Sequence, residues 1–398
     1  MAALATAGSS LSAIKETTLG TTPGSPAFKE INSTSDSLQG TKTTETSNTI
    51  RADRQKDDLV VTLNEVGGDI SMQLDVDNHK DYLQNMMLTD AADVANSPAD
   101  QSSLTVAYAH ATKRLTLAGA SASIITSIMD KLKPGMKFKI SGHTTAGLNT
   151  VHTVKSINAT NDTIDIVDAV GSADISAAGT PVFAFNNHIN GAVSPVLHAY
   201  TFMKQYNFPS KLYHFFRGCV LNTFSFSLDP NALVEATMGV VGRSDELTDT
   251  AITSQSLVAA PTENLLSTGE TIDVSAPELG SGNPYSFSLS LDNQVNLARA
   301  LGTFDAVGQA AFTLNVTGSL SIYFEDKEAF DQFDDEDAFP ITVKLEGESE
   351  DCYIYLPSCK ITSLSLPRGG QDQFLFVEMD WEALRDATAG YTMLVSYV

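Results

Sequence analysis

The sequence predicts an all-β protein built from two related β domains, each with one short helix, and a smaller β domain inserted into the first. Three observations carry that expectation. Apolar and polar residues alternate with period two along most of the 398-residue chain. Helical spacing is confined to short patches. Two ordered blocks of sequence also occur twice.

Residues 1–50 are rich in Ser, Thr and Gly and read as an arm with at most one strand, at 28–31, the first 24 residues being flexible. Charge then clusters at Arg51, Arg54, Lys56, Asp57 and Asp58, which suits an exposed loop. Residues 59–63 read as a strand, Gly67 and Gly68 as a turn, and 70–74 as a second, alternating strand. Tyr82, Leu83, Met86 and Met87 fall on one face of a short amphipathic helix.

From 101 to 187 the character changes. Six short β-like runs, at 104–108, 114–117, 137–140, 151–157, 163–167 and 182–185, are separated by turn signals such as Pro134-Gly135 and Asn161-Asp162. That pattern predicts a small barrel or sandwich. A long alternating strand follows at 213–228, then a turn at Pro230-Asn231 and a returning strand at 233–241. Residues 243–284 are polar and read as a long connection. The remainder is β-rich, with runs at 285–291, 311–316, 320–324, 341–345, 352–356, 361–366 and 374–381.

The repeats fix the organisation. Gly68, Ile70, Ser71 and Met72 align with Gly318, Leu320, Ser321 and Ile322, and each block leads to acidic residues and a helical patch, the second carrying Phe330 and Phe333. Tyr213, Phe215, Cys219, Leu221 and Phe224 align with Tyr353, Tyr355, Cys359, Ile361 and Leu364, each copy reaching a proline, Pro230 or Pro367. Gly68 to Cys219 is 151 residues and Gly318 to Cys359 is 41, so the first copy holds about 110 more, the size of a small domain. The expected organisation is a flexible arm (1–24), a discontinuous first domain (25–98 and 188–245), an insert (99–187), a linker (246–284) and a second domain (285–398).

Composition narrows the function. With 24 Lys plus Arg against 48 Asp plus Glu, the net charge is −24. Such a chain is ill suited to wrapping nucleic acid or lying on an anionic membrane. The N-terminus does not read as a signal peptide, and no apolar run is long enough to span a membrane. Cys219, Cys352 and Cys359 include no Cys-x-x-Cys, so a disulfide framework is not expected; Cys219, Cys359 and Trp381 read as core. No nucleophile elbow, phosphate loop or zinc motif occurs, and the seven histidines are scattered. No catalytic residue, cofactor or metal site is therefore expected. The acidic run from Glu325 to Asp337 lacks the ligand spacing of a calcium loop and reads as a solvated helix and its exit.

Three runs carry a family resemblance. RADRQKDDLVVTLNEVGGDISMQLDVDNHKDYLQNMM and FFRGCVLNTFSFSLDPNALVEATMGVVGR resemble the first half of the tail tube protein family of long flexible-tailed bacteriophages. GSLSIYFEDKEAFDQF resembles its second half, and LKPGMKFKISGHTTAGLNTVHTVKSINATNDTIDIV resembles a small β domain inserted in such proteins. The resemblance implies a non-enzymatic virion protein, assembled in the host cytoplasm, whose sandwich-like domains close into rings that stack as a hollow tube. Implied partners are further copies of itself, a tape measure protein and tail tip and terminator proteins, with double-stranded DNA only passing through the lumen. Two domains per chain lead to an expectation of trimeric, pseudo-hexameric rings with the insert outward. Arg51, Arg54, Asp57 and Asp58 are the candidate ring-to-ring contacts. A β-rich adhesin and a carbohydrate-active β-sandwich enzyme are the alternatives; a single Trp argues against the latter's sugar platform.

Overall fold

The computed structural model describes residues 8–398 apart from 51, 54, 90–93, 191–194, 208–210, 263, 270–271 and 369–373. The chain is all-β, with two sets of strands that follow one pairing scheme. In the first, Leu59–Gln73 pairs with Glu235–Gly242, which pairs with the second half of the long strand Leu212–Leu228. In the second, Asn315–Tyr323 pairs with Phe376–Ala383, which pairs with the second half of Cys352–Ser365. Gln39–Thr46 flanks the first set and Pro284–Asp292 the second. The first halves of the long strands pair with Ala199–Tyr206 and Phe339–Leu345 on one side. On the other side they pair with Ser244–Thr248 and Leu394–Tyr397.

The irregularities coincide as well. Each long strand shifts register at two places: between Leu221 and Thr223, matched by Ile361 and Ser363, and opposite Tyr200/Phe202, matched by Phe339/Ile341. A bulge inserts an unpaired residue and bends its strand. Four such bulges at corresponding positions give both sets the same local bend. Phe224 faces Met238, which faces Ile70; Leu364 faces Met379, which faces Leu320.

Alternation explains which face is buried. Phe224, Phe226, Met238, Ile70, Leu320, Met379 and Trp381 project to one side and are buried in a core shared by both sets. Helices Val76–Met86 and Glu328–Asp334 follow the equivalent strands Leu59–Gln73 and Asn315–Tyr323. Asp75 caps the first helix, accepting from Asp77 and Asn78 backbone amides at 2.9 and 3.0 Å. Such a cap satisfies amides that the helix itself leaves unpaired.

The segment from Thr105 to Ala184 folds on its own six-stranded antiparallel sheet, covered by helix Ala122–Met129 and filled by a separate apolar cluster. All six runs expected there are strands; the helix, whose Ile125, Ile128 and Met129 face inward, was not foreseen. This unit seats against the second set through the Tyr391 hydroxyl, which donates to the Pro134 carbonyl at 2.7 Å.

Four expectations need correction. Among the described residues the N-terminal segment holds four strands rather than at most one, and Ser9–Lys15 pairs along Ala199–Tyr206 with Leu11 and Ala13 buried. Its few apolar residues sit at alternate positions, enough to fill a groove that the rest of the chain supplies. Gly67 and Gly68 make no turn; Leu59–Gln73 runs through them. Gly68 has φ +149°, and an added Cβ would lie 2.6 Å from the Leu38 Cα, so glycine is required by close approach of two backbones. The polar stretch 243–284 is tied down by three strands, one of them Ile272–Ser275 paired with Phe339–Leu345. The runs at 352–356 and 361–366 belong to one strand, because bulges bend a strand without ending it, and a single strand Asn315–Tyr323 takes the place of the runs at 311–316 and 320–324, residues 311–314 lying outside it.

Candidate assembly surface

Eight strands lie side by side as a continuous ribbon: Gln39–Thr46, Leu59–Gln73, Glu235–Gly242, residues 220–228, Pro284–Asp292, Asn315–Tyr323, Phe376–Ala383 and residues 359–365. The two sets join in the middle, where residues 223–228 pair antiparallel with residues 287–292. Here Phe224, Phe226 and Leu228 interlock with Phe287, Leu289 and Leu291, all buried. The Phe226 and Phe287 rings are 6.0 Å apart.

The ribbon has one buried face and one solvated face, the alternation expected of an antiparallel sheet. The solvated face is hydroxyl-rich and acidic. Thr223, Ser225, Ser227, Ser288, Ser290 and Ser319 project from it, with Asp69, Glu235, Asp292, Glu378, Asp380 and Glu382. Ser363 Oγ donates to the Asp380 carboxylate at 2.7 Å. Lys360, opposite Glu382, is a cation on the same face.

The two ends of the ribbon differ. At one end the hairpin that joins Gln39–Thr46 to Leu59–Gln73 exposes Ile50, Leu59 and Val60, beside Leu301 and Phe304 of the neighbouring loop. Asn64 holds that loop, its amide donating to the Phe304 carbonyl at 3.1 Å, and Arg299 pairs with Glu65. At the other end Tyr285, Tyr323, Phe374 and Phe376 form an aromatic cluster with ring centroids 4.5–5.9 Å apart. Phe374 is 76% exposed.

Of the expected ring-contact residues, Asp57 and Asp58 sit exposed on that hairpin loop, and Arg51 and Arg54 lie outside the described residues. The Asp58 carbonyl accepts from the Ser47 amide at 2.9 Å and its carboxylate from the Leu59 amide at 2.8 Å, closing the hairpin neck. The edge strand Gln39–Thr46 lies in the segment whose Ser and Thr content suggests an arm, and the signal for it is the threonine-rich, β-branched run from Thr41 to Thr46.

Titratable groups elsewhere are built into the framework. Burial pushes the Cys352 thiol up to about 12 and raises those of Cys219 and Cys359, so all three are inert apolar fillers at neutral pH. His143 and His152 bond the carbonyls of Val106 and Leu148 at 3.2 and 3.0 Å. Among the described residues, no cluster of three or more His, Cys, Asp or Glu side chains is arranged to hold a metal ion. The acidic run spans the short helix Glu328–Asp334, where Asp326 accepts from the Glu328 and Ser281 amides at 3.1 and 3.0 Å.

Open strand edges, a polar sheet face and apolar ends define a β structural protein made to assemble. A family model described as phage tail tube protein matches residues 6–383, nearly the whole chain. The chain belongs to the phage tail tube protein family and is a structural component of the virion tail. No curated protein sequence matches it. No helix among the described residues is long and apolar enough to cross a membrane.

Proposed function

We propose that this protein forms rings of three chains, each supplying two copies of one tube unit, and that stacked rings make the conduit for the genome. The observation that carries the reading is the repeated pairing scheme with its shared bulges. Two such units already joined edge to edge inside one chain leave one open edge strand on each side of the ribbon, the geometry of a closed ring.

Strand counting favours three chains. At about 4.8 Å per strand, two chains with eight strands each would close about 24 Å across between backbones. Lining side chains of about 5 Å on each wall would leave too little room for a duplex. Three chains give about 37 Å, and strand tilt widens the bore further. The hydroxyl-rich, acidic face then lines the lumen, where carboxylates repel phosphates and deny them binding sites. The inserted sheet joins the body at Asn186–Ile189, which pairs with Leu394–Tyr397 outside the ribbon, and it projects outward. A tape measure protein inside the bore, terminator and tip proteins at the ends, and DNA in transit are the further partners.

The test neutralises the lining. Phage carrying Glu378→Gln, Asp380→Asn and Glu382→Gln, with tails intact by electron microscopy, should eject DNA more slowly. An unchanged rate would refute the role of the acidic face.

A further inference from the structure

The internal joint supplies a template for the joint between chains. We infer that residues 363–366 of one chain pair antiparallel with residues 38–41 of the next, Ser363 opposite Thr41, Leu364 opposite Gly40 and Ser365 opposite Gln39. This rests on the ring reading above and adds to it the edges and the register.

The register follows from equivalence. Thr223, Phe224 and Ser225 occupy the positions of Ser363, Leu364 and Ser365 relative to the middle strands of the two sets. Ser290, Leu291 and Asp292 face Thr317, Val316 and Asn315; Gln39, Gly40 and Thr41 face the corresponding Gly67, Val66 and Glu65. Within the chain, Thr223 pairs with Asp292, Phe224 with Leu291 and Ser225 with Ser290. Translating both sides yields the seam.

A second, independent observation is the burial at these positions. In the internal joint Phe226 is 3% exposed; its counterpart Leu366 is 37% exposed, and Leu364 is only half-buried where Phe224 is fully covered. Apolar residues alternate on the core face of the free edge, Leu364 partly packed against the core and Leu366 more than a third exposed. Among the described residues, no strand pairs with the outer side of Gln39–Thr46 or with residues 361–365 opposite Phe376–Ala383. Two complementary edges on one subunit, free of strand partners and with only the Leu38 carbonyl taken by the Lys204 ammonium at 2.7 Å, form a heterologous contact that closes into a ring when the rotation allows. The occupant of each edge is therefore a second copy of this chain.

Paired cysteines read the register, because directly opposed residues in antiparallel strands lie about 4.5–5.5 Å apart at Cα, within disulfide range. The native cysteines are buried and do not compete. Tubes of Gln39→Cys/Ser365→Cys should form covalent dimers and trimers on mild oxidation, and the slipped pair Thr43→Cys/Ser365→Cys should not. The intrachain pair Ser225→Cys/Ser290→Cys serves as the positive control. Tubes that fail to cross-link, or that cross-link only through the slipped pair, overturn the register and leave the ring intact. Wild-type protein that never forms rings overturns the ring reading itself. Should the cysteine variants not assemble, hydrogen exchange on wild-type protein decides: amides at 363–366 and 39–41 gain protection on assembly, and unchanged exchange there refutes the seam.

Discussion

Single residues in this chain mostly hold the frame. Glu16, nearly fully buried, accepts from the Gly20 and Gly218 amides at 2.6 and 2.9 Å and from the Thr201 hydroxyl at 2.7 Å. It ties the N-terminal strand to Gly218, whose φ of +62° lies where glycine is favoured. Glu16→Ala would strand two amides and should cost about 2–3 kcal/mol, seen as a lower urea midpoint; Glu16→Gln, which keeps an acceptor, should cost less. His188 and His198 act on acidification. Burial, with nearby Lys80 and His198 for the one and Lys15 for the other, lowers each from its ordinary 6.5 to about 4. The unfolded chain therefore binds these protons first, so the contribution is intact above 6.5 and is lost as pH falls towards 4. The melting temperature should fall less steeply over that window in a His188→Gln/His198→Gln variant; equal slopes would contradict the assignment. Glu16 was illegible in the sequence because two of its three partners, Thr201 and Gly218, lie 185 and 202 residues away. Cys219, Cys359 and Trp381 were legible as core because they fall on the apolar phase of their strands.

At the scale of elements, period-two alternation carried most of the fold. The last part of the strand Leu212–Leu228 and most strands of the inserted sheet follow it, and it breaks where the two bulges of the long strand fall. It failed where pairing, not composition, makes the strand. Ser256–Val258 is exposed, and it exists because its backbone lies parallel to Ala27–Ile31. Gly67-Gly68 resembled a turn because the backbone approach at Leu38 leaves no trace in local sequence. The hairpin ending near Ile50 is the element we assign to stacking: its apolar tip lies at the opposite end of the ribbon from the Tyr285 cluster, as head-to-tail stacking requires. Deleting residues 48–57 and closing the neck with two glycines should leave folded subunits that do not polymerise. Normal tubes from that variant would remove the hairpin from the ring-to-ring contact.

At the scale of the molecule, the sequence repeats pointed to a unit present twice, and the strand pairing supplies two sets with the same order and the same bends. The charge of −24 was legible as a total, but its distribution was not. Placing Asp69, Asp292, Glu378, Asp380 and Glu382 together required strand register, which decides the face each side chain meets. We propose that three chains, each bringing two edge-sharing units, close one ring. Cryo-electron microscopy of tubes assembled from the purified protein measures this directly. Three chains per ring around an open bore, with alternating unit types and three outward lobes, are the expected result. Six chains per ring, or filaments without a lumen, would contradict it.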